Sequence, residues 1–281
     1  SRGGVNVEIR RAIVFPGQGS VGGEVSGDVA EAVSRQIGDG ETPYQLSVFA
    51  SSVSLLNELR EAGVAPDVVA GHSLGEYAAA YATGSLGLGD AVWLVAERDR
   101  LMNEASVRNK GGMVALIGAD PREISVAVDQ FLEEEGIVVP ANFNTPRQTV
   151  ISGEVEAMEA IAEQVGGRKV KLEVAGAFHS PLMLEASLAL EELLNEVEVR
   201  DPEIPMISAT DGAVLAKADD VRLALREQML SPVRWVAVVE RFLDLGVEEI
   251  FEAGADGTLT RMLRDFKEKS LTGRTAKEVI G

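Results

Sequence analysis

The sequence predicts an α/β fold, in which a mostly parallel sheet is flanked by helices and carries an inserted subdomain. Short apolar runs, such as residues 12–15 and 68–70, alternate with stretches of helical periodicity, a pattern typical of parallel strands buried on both faces. Near the middle of the chain the order becomes β-α-β-β-α-β, which is the ferredoxin-like arrangement. We therefore expect a large α/β domain made of residues 1–110 and 178–281, and a small ferredoxin-like subdomain made of residues 111–177.

Apolar spacing and turn residues place the elements of the first part of the large domain. The apolar run at 12–15 stops at Pro16-Gly17, and a second apolar run follows Pro66. Helical spacing between them predicts a helix that Gly63 ends, and Asp90 is expected to cap a later one. The predicted elements here are strands at 12–15 and 68–70 and helices at 29–37, 45–61, 74–82 and 90–104.

The same reading continues through the insert and beyond it. The insert is expected to end with a strand that alternates polar and apolar residues, after which strands and helices alternate again. The predicted elements of the insert are strands at 113–117, 138–144, 149–152 and 169–174 and helices at 121–135 and 154–165. Those after it are helices at 184–197, 221–229, 236–245 and 258–266 and strands at 204–208 and 249–251.

Composition excludes several classes of function. The 281 residues contain no cysteine, so disulfides, thiolate catalysis and cysteine zinc sites are absent together. A net charge of −19 at pH 7 disfavours nucleic acid and anionic membranes as partners. The first residues lack the apolar segment of a secretory signal, and no apolar run approaches the length of a membrane helix. We expect a cytoplasmic protein.

The clearest chemical motif is Gly71-His72-Ser73-Leu74-Gly75, which matches the nucleophile elbow G-x-S-x-G. A predicted strand precedes it and an alanine-rich helix follows it, as the elbow requires. The turn exposes the serine hydroxyl and directs the amide of Leu74 towards a developing oxyanion at the positive end of the helix. The context is similar to that of α/β-hydrolases, although a tight structural turn is the alternative interpretation.

A serine nucleophile needs a base, and the chain has only two histidines. His72 adjoins Ser73, and neighbouring side chains diverge on a sharp turn, which makes it a poor candidate. His179 lies where the insert returns to the large domain, so it is expected to face Ser73 across an interdomain cleft. The competing interpretation is a hydrogen-bonded core histidine.

Six blocks of sequence resemble the malonyl-coenzyme A:acyl carrier protein transacylases, in the order found in that family. The blocks are residues 15–20, 71–76, 112–113, 142–153, 177–183 and 231–235. The chain differs from the family in having a shorter span between Gln18 and Ser73. The resemblance covers most of the chain and implies the same α/β fold with a ferredoxin-like insert.

The resemblance also implies a role for each matching position. Ser73 is expected to be the acylated nucleophile and His179 its base, with the amides of Gln18 and Leu74 as the oxyanion hole. Arg98 matches the arginine that pairs with the free carboxylate of malonate, although its charged neighbours alone favour a solvated helix face. The remaining implied positions are the backbone carbonyl of Arg234, which orients the histidine, and Met102 and Asn142, which line the pocket.

The implied reaction transfers malonyl from malonyl-CoA to the thiol of acyl carrier protein, by a ping-pong mechanism through malonyl-serine. It requires no metal and no resident cofactor, since the coenzyme A thioester is a substrate, and a monomer is expected. One alternative is a serine esterase or thioesterase of the α/β-hydrolase type, which predicts a histidine close to the C-terminus. The other is a non-catalytic module that retains the fold.

Overall fold

The structure, a computed structural model, describes residues 8–17, 20, 22–131 and 135–281. In chain order the strands are β1 Arg11–Phe15, β2 Val68–Gly71, β3 Gly112–Ile117, β4 Val138–Thr145, β5 Gln148–Gly153, β6 Arg168–Lys171, β7 Met206–Ile207, β8 Val214–Leu215, β9 Glu249–Glu252 and β10 Thr272–Thr275. The helices are α1 Gly27–Ile37, α2 Tyr44–Glu61, α3 Gly75–Ala82, α4 Leu88–Arg108, α5 Pro121–Gln130, α6 Val155–Val165, α7 Leu184–Leu194, α8 Ala218–Glu227, α9 Trp235–Leu245, α10 Thr258–Met262 and α11 Ala276–Ile280.

The large domain is built on a six-stranded sheet with the spatial order β10-β9-β1-β2-β7-β8. The strands run parallel except for β8, which pairs antiparallel with β7. β1 and β2 lie at the centre, in a register that places Ala12 opposite Val68 and Phe15 opposite Gly71. Their carboxyl ends therefore meet at one edge of the sheet, which is where parallel α/β sheets hold their functional loops.

The two faces of β1 explain why its sequence is a continuous apolar run. Ile13 and Phe15 pack into a core formed with α2, α3 and α4, whereas Ala12 and Val14 pack into a second core formed with α9. Because helices cover both faces, every side chain from Ala12 to Phe15 is buried. The predicted α/β class is confirmed.

The insert forms a separate antiparallel sheet with the spatial order β4-β5-β3-β6. In the insert's own order this is 2-3-1-4, the strand order of a ferredoxin-like fold. The core of the insert combines side chains of α5 and α6 with one face of the sheet. The strands of this sheet all lie between Gly112 and Lys171, inside the range predicted for the subdomain.

A short segment of the large domain docks directly onto the insert. The amide of Val233 donates to the carbonyl of Ala141 at 2.7 Å, and the amide of Phe143 donates to the carbonyl of Val233 at 2.8 Å. β4 therefore gains a short parallel pairing with the loop before α9, centred on Asn142 and Val233. This pairing fixes the insert above the carboxyl edge of the large sheet.

Among the helices that the structure describes, none combines the length and the apolar character needed to span a membrane.

Candidate active site

Ser73 lies on a strained turn between β2 and α3. Its φ is +52°, in the left-handed region that non-glycine residues rarely adopt. A Cβ atom on Gly71 would lie 2.0 Å from the carbonyl carbon of Gly75, and one on Gly75 would lie 2.1 Å from the carbonyl oxygen of Phe15. Both positions therefore require glycine, as the elbow motif predicts, and this close packing holds the serine in its strained conformation.

The structure brings His179 to Ser73 from 106 positions away. The imidazole Nε2 lies 2.8 Å from Ser73 Oγ, and both side chains are buried. His179 also has a left-handed backbone, with φ at +59°. The chain reaches this position after β6, on its return from the insert. His72 points elsewhere, since its Nε2 lies 2.7 Å from Asn144 Oδ1 and its ring packs near Trp235.

Two backbone carbonyls orient His179. Its Nδ1 lies 2.9 Å from the carbonyl of Gln228 and 3.1 Å from that of Ser231. Because a carbonyl can only accept, Nδ1 carries the proton and Nε2 is left as the acceptor for the Ser73 hydroxyl. A third carboxylate is not needed to fix the tautomer.

The prediction that Arg234 supplies this carbonyl is wrong. Arg234 precedes the first residue of α9, and its carbonyl accepts the hydrogen bond of the Val238 amide at 3.2 Å. The carbonyls that face His179 come instead from a 3₁₀ turn, Gln228–Leu230, and from the residue that follows it. The Gln228 carbonyl also accepts the Ser231 amide at 3.3 Å, which closes the turn. A carbonyl oxygen has two lone pairs, so it can accept from His179 as well.

Burial keeps the His179 imidazole neutral. Burial, and after it the nearby positive charge of Arg98, lower the pKa of His179 to about 4, although the backbone hydrogen bonds to Gln228 and Ser231 act to raise it. At neutral pH the ring is therefore unprotonated and able to take a proton from Ser73.

Arg98 projects from α4 into the interior, where its side chain is fully buried. Its Nη2 donates to Ser73 Oγ at 3.1 Å, its Nη1 to Gln45 Oε1 at 2.5 Å, and its Nε and Nη2 to Gln228 Oε1 at 3.2 and 2.9 Å. All of these acceptors are neutral. Since a guanidinium stays charged in proteins, the site holds a positive charge next to the serine without neutralising it. The solvated-face interpretation of Arg98 is wrong.

A pocket of about 210 Å³ opens above Ser73 between the two domains. His72, Ser73 and His179 line it from the large domain, and Asn142 lines it from β4 as the resemblance implies. Most of the remaining wall is apolar or uncharged. That wall comprises Pro16, Gly17, Ser20, Met113, Ala115, Asn144, Gln148, Val150, Leu172, Val174, Phe178, Thr258, Leu259 and Met262.

Three further predicted site residues fall in different places. Leu74 is buried immediately before α3, so its amide lies at the positive end of that helix. Met102 does not line the pocket; its sulfur accepts a hydrogen bond at 3.4 Å from Nε2 of Gln45, the residue whose Oε1 accepts from Arg98. Gln18 lies outside the described residues. In the described part of the chain, no cluster of acidic and histidine side chains could hold a metal ion.

Sequence reasoning missed three residues that hold the site together. Gln45 and Gln228 are the amides that accept from Arg98, and Glu76 in turn accepts from Gln228 Nε2 at 2.9 Å. Glu76 directly follows the elbow motif, but a carboxylate in the first turn of a helix is favourable to the helix dipole and so does not stand out. Nothing in the local pattern distinguishes either glutamine from a surface residue.

Fold and site together define a class of protein, the α/β proteins that pair an elbow serine with a histidine and add a ferredoxin-like insert. Comparison with known proteins narrows that class. Residues 37–280 match the family model described as acyl transferase domain. The malonyl CoA-acyl carrier protein transacylase of Bacillus subtilis (strain 168) is 33% identical over 290 residues, which cover 93% of this chain and 92% of that protein. The protein of the same name from Escherichia coli (strain K12) is 35% identical over 225 residues, covering 78% of this chain and 72% of that protein.

Solved structures agree with these relatives. The crystal structure of malonyl-CoA:ACP transacylase from Synechocystis sp. PCC 6803 matches with a TM-score of 0.84 and 30% identity, over 95% of this chain and 97% of that one. The structure PlMCAT:AntF, a type II PKS acyl-carrier protein in complex with its malonyl-transacylase, matches with a TM-score of 0.82 and 30% identity, over 95% of each chain. The chain belongs to the acyl transferase family, and within it to the malonyl-CoA:acyl carrier protein transacylases.

Proposed function

We propose that this protein transfers the malonyl group from malonyl-CoA to the phosphopantetheine thiol of acyl carrier protein, in fatty acid or polyketide biosynthesis. One observation carries the proposal. The Ser73 Oγ lies within hydrogen-bond distance of both His179 Nε2, at 2.8 Å, and Arg98 Nη2, at 3.1 Å. A base and a fixed positive charge on the same nucleophile suit an acyl group that itself carries a carboxylate.

In the first half-reaction Ser73 Oγ attacks the thioester carbonyl while His179 Nε2 takes its proton. The oxyanion that forms lies at the start of α3, where the Leu74 amide can donate to it. The family resemblance implies the amide of Gln18 as the second donor. The intermediate then collapses, the C–S bond breaks, and His179 returns the proton to the departing thiolate. Free coenzyme A and malonyl-serine result.

In the second half-reaction the carrier's thiol takes the place of coenzyme A. His179 takes the thiol proton, the sulfur attacks the malonyl-serine carbonyl, and the ester C–O bond breaks. His179 then returns the proton to Ser73 Oγ, which restores the enzyme. The two thiols share a pantetheine arm, and the largely uncharged pocket wall suits such an arm. No resident cofactor takes part in this scheme.

Arg98 selects the acyl group in this proposal. In the free enzyme its Nη2 donates to Ser73 Oγ, and the malonyl carboxylate would accept from the same fork once the serine is acylated. A planar guanidinium can hold both oxygens of a carboxylate. Acetyl lacks the carboxylate and would leave the buried cation with neutral partners only, so a site of this kind discriminates against it.

Intact-protein mass spectrometry tests the proposal. Incubation with malonyl-CoA should add one malonyl group to the protein, and this adduct should be absent in Ser73→Ala. Addition of an acyl carrier protein that bears its phosphopantetheine should then move the label to the carrier. Release of free malonate as the main product would instead establish the esterase or thioesterase alternative.

The net charge of −19 repels any carrier protein that is itself negatively charged, so the docking of such a carrier depends on local basic segments. Two such segments adjoin the pocket. Lys169 and Lys171 lie exposed on β6, which leads into the pocket wall, and Arg261 and Arg264 lie exposed on either side of Met262, which lines the pocket. Both segments could contact negative charges on a carrier whose pantetheine enters there.

Charge reversal distinguishes the two segments. Two double variants are compared: one combines Lys169→Glu with Lys171→Glu, and the other combines Arg261→Glu with Arg264→Glu. Each should raise the KM for the carrier without slowing acylation by malonyl-CoA. Arg122→Glu, at an exposed site on α5, is the matched control. A segment whose reversal leaves the carrier KM unchanged is not part of the docking surface.

The proposal also includes a monomeric, cytoplasmic enzyme. Size-exclusion chromatography with light scattering tests the first part, and a mass of twice the chain's 29.8 kDa would contradict it.

A further inference from the structure

We propose that Glu76 is a positioning residue that acts through Gln228 to hold the Arg98 guanidinium in place while leaving it free to bind the substrate carboxylate. The inference rests on the proposed function, since it concerns how the acyl group is selected. It adds a residue whose side chain hydrogen-bonds neither Ser73 nor His179 and does not line the pocket, although its backbone amide donates to the Ser73 carbonyl at 2.9 Å.

Glu76 is a buried carboxylate at the start of α3. Only 1% of its surface is exposed. Its Oε1 accepts from Gln228 Nε2 at 2.9 Å, and its Oε2 accepts from the amide of Ala209 at 3.3 Å. Both carboxylate oxygens are thus occupied by donors of the protein. A buried charge with such partners is costly to maintain, and such groups are found where they perform a function or specify a conformation.

The carboxylate determines which way the Gln228 amide faces. In its ionised form Glu76 has no hydrogen bond to donate, and both of its carboxylate oxygens accept from protein donors, so the Gln228 NH₂ group points towards Glu76. The Gln228 Oε1 must then point the other way, where it accepts from Nε and Nη2 of Arg98. The opposite orientation would place the NH₂ group against the guanidinium, donor against donor. Glu76 therefore selects the only orientation of Gln228 that holds Arg98.

Gln228 also connects this network to the other two reacting residues. Its Nε2 donates to the carbonyl of Ser73 at 3.0 Å, and its own carbonyl accepts from Nδ1 of His179. Gln228 thus contacts the serine and the arginine through its side-chain amide and the histidine through its backbone carbonyl, and Glu76 fixes the orientation of the side-chain amide.

The same arrangement explains how a buried cation stays available. The other nearby carboxylate, Asp99, accepts from the amide of Gln45 and from Asn103 Nδ2 instead of from the guanidinium. When it is ionised, Glu76 stabilises the positive charge of Arg98 from a distance of one amide group. A direct ion pair would occupy the fork that a carboxylate substrate needs, whereas an amide bridge supplies the counter-charge and leaves Nη2 on the serine oxygen.

The test compares two acyl groups in single-turnover acylation of Ser73, followed by intact mass. An amide at position 76 has one acceptor for two donors and no charge, so Glu76→Gln should disturb both Gln228 and Arg98. We expect malonylation to slow about tenfold or more, the loss of one hydrogen bond to a charged group, while acetylation changes much less. In an Arg98→Ala background, Glu76→Gln should have no further effect on malonylation.

Two further variants keep the test decisive. Glu252→Gln removes a carboxylate that is buried at the carboxyl edge of the same sheet and bound to Thr260, and it should affect both acyl groups alike. If Glu76→Gln does not fold, Gln228→Met breaks the amide bridge from the other side and should give the same selective loss of malonylation.

The outcomes separate the two hypotheses. The inference is overturned if Glu76→Gln slows malonyl and acetyl transfer equally. It is also overturned if the effects of Glu76→Gln and Arg98→Ala on malonylation are additive, since either result would show a merely structural role for Glu76. Failure of the unaltered protein to acquire malonyl would overturn the proposed function itself.

Discussion

The serine side of the site and the histidine–arginine side are constructed in different ways. Ser73 is held by the glycines two residues to either side of it and by the adjoining strand β1. His179 and Arg98, in contrast, are held by side chains and carbonyls from α2, from the 3₁₀ turn after α8 and from the loop before α9. The first construction depends on steric contacts of two glycines that the elbow motif marks in the sequence, and the second on polar groups that no motif marks and that only the completed fold brings together. The two should therefore fail in different ways when they are altered.

The largest effect on activity should come from a change on the histidine–arginine side. His179→Ala removes the group that takes the serine proton, so we expect acylation of Ser73 to slow by about 10²- to 10⁴-fold, the usual contribution of a general base. His72→Ala is the matched control, because this second histidine lines the same pocket but hydrogen-bonds Asn144. Its effect should be far smaller. Rapid-quench acylation measures both rates, and similar losses in the two variants would remove the distinction between the histidines.

How far the sequence predicts the site follows from the same contrast. The elbow motif is visible in the sequence because it requires glycine at fixed spacing, and with two histidines in the chain the choice of a base is narrow. The α/β class and the ferredoxin-like insert also follow from strand and helix periodicity, whereas the spatial order of the strands in the large sheet does not. Arg98 was reached only through the family resemblance, since its neighbours Glu97 and Arg100 form an ordinary exposed ion pair.

What the sequence could not predict are the contacts made by the 3₁₀ turn. Gln228 belongs to a helical stretch that periodicity extends without interruption, so nothing predicted that its carbonyl would face His179 in place of that of Arg234. Helix ends were displaced for a similar reason. The helix expected to begin at Asp90 begins at Leu88, which leaves Asp90 in the first turn, where a carboxylate is equally favourable to the helix dipole.

The next prediction tests the serine side. Gly75→Ala would place a Cβ atom 2.1 Å from the carbonyl oxygen of Phe15, in backbone that cannot move without displacing β1. We expect the free energy of unfolding to fall by about 3 kcal/mol, the upper range for overpacking. Gly89→Ala is the control, since a Cβ atom there meets no other atom within 4 Å and alanine favours a helix. Urea denaturation should show the first variant destabilised and the second unchanged or slightly stabilised; equal stability of the two would mean that the elbow is not sterically fixed.

Arg98→Ala tests whether the histidine–arginine side of the site selects the acyl group. We expect malonylation to slow by about 10- to 100-fold, the loss of a charge-assisted hydrogen bond, with a clearly smaller effect on acetylation. Arg100→Ala, two residues along α4, removes a half-exposed guanidinium that pairs with Glu97 and Glu104, and it should change neither rate appreciably. Single-turnover rates with the two coenzyme A thioesters measure the ratio. An unchanged malonyl-to-acetyl ratio in Arg98→Ala would separate this arginine from substrate selection.

Glu76 joins the two sides, because it lies three residues after Ser73 yet contacts Gln228, and its titration gives the smallest predicted effect. Burial raises the pKa of Glu76 to about 7 from an ordinary value of 4.5, even though Gln228, the Ala209 amide and Arg98 lower it. Between those two values the folded protein binds more protons at this group than the unfolded chain does. The contribution of Glu76 to stability is therefore present at low pH and is lost as pH rises towards 7.

Glu76→Gln removes this titration. From pH 5 to pH 8 the unfolding free energy of the variant should rise relative to that of the unaltered protein by up to about 2 kcal/mol. His179, whose pKa of about 4 gives stability the opposite slope at acid pH, is present in both proteins and cancels in the difference. Urea denaturation of both proteins at the two pH values measures this change. If the difference in unfolding free energy between the two proteins were the same at pH 5 and pH 8, Glu76 would already be ionised at pH 5 in the folded protein. Its negative charge would then be present next to Gln228 and Arg98 throughout this pH range.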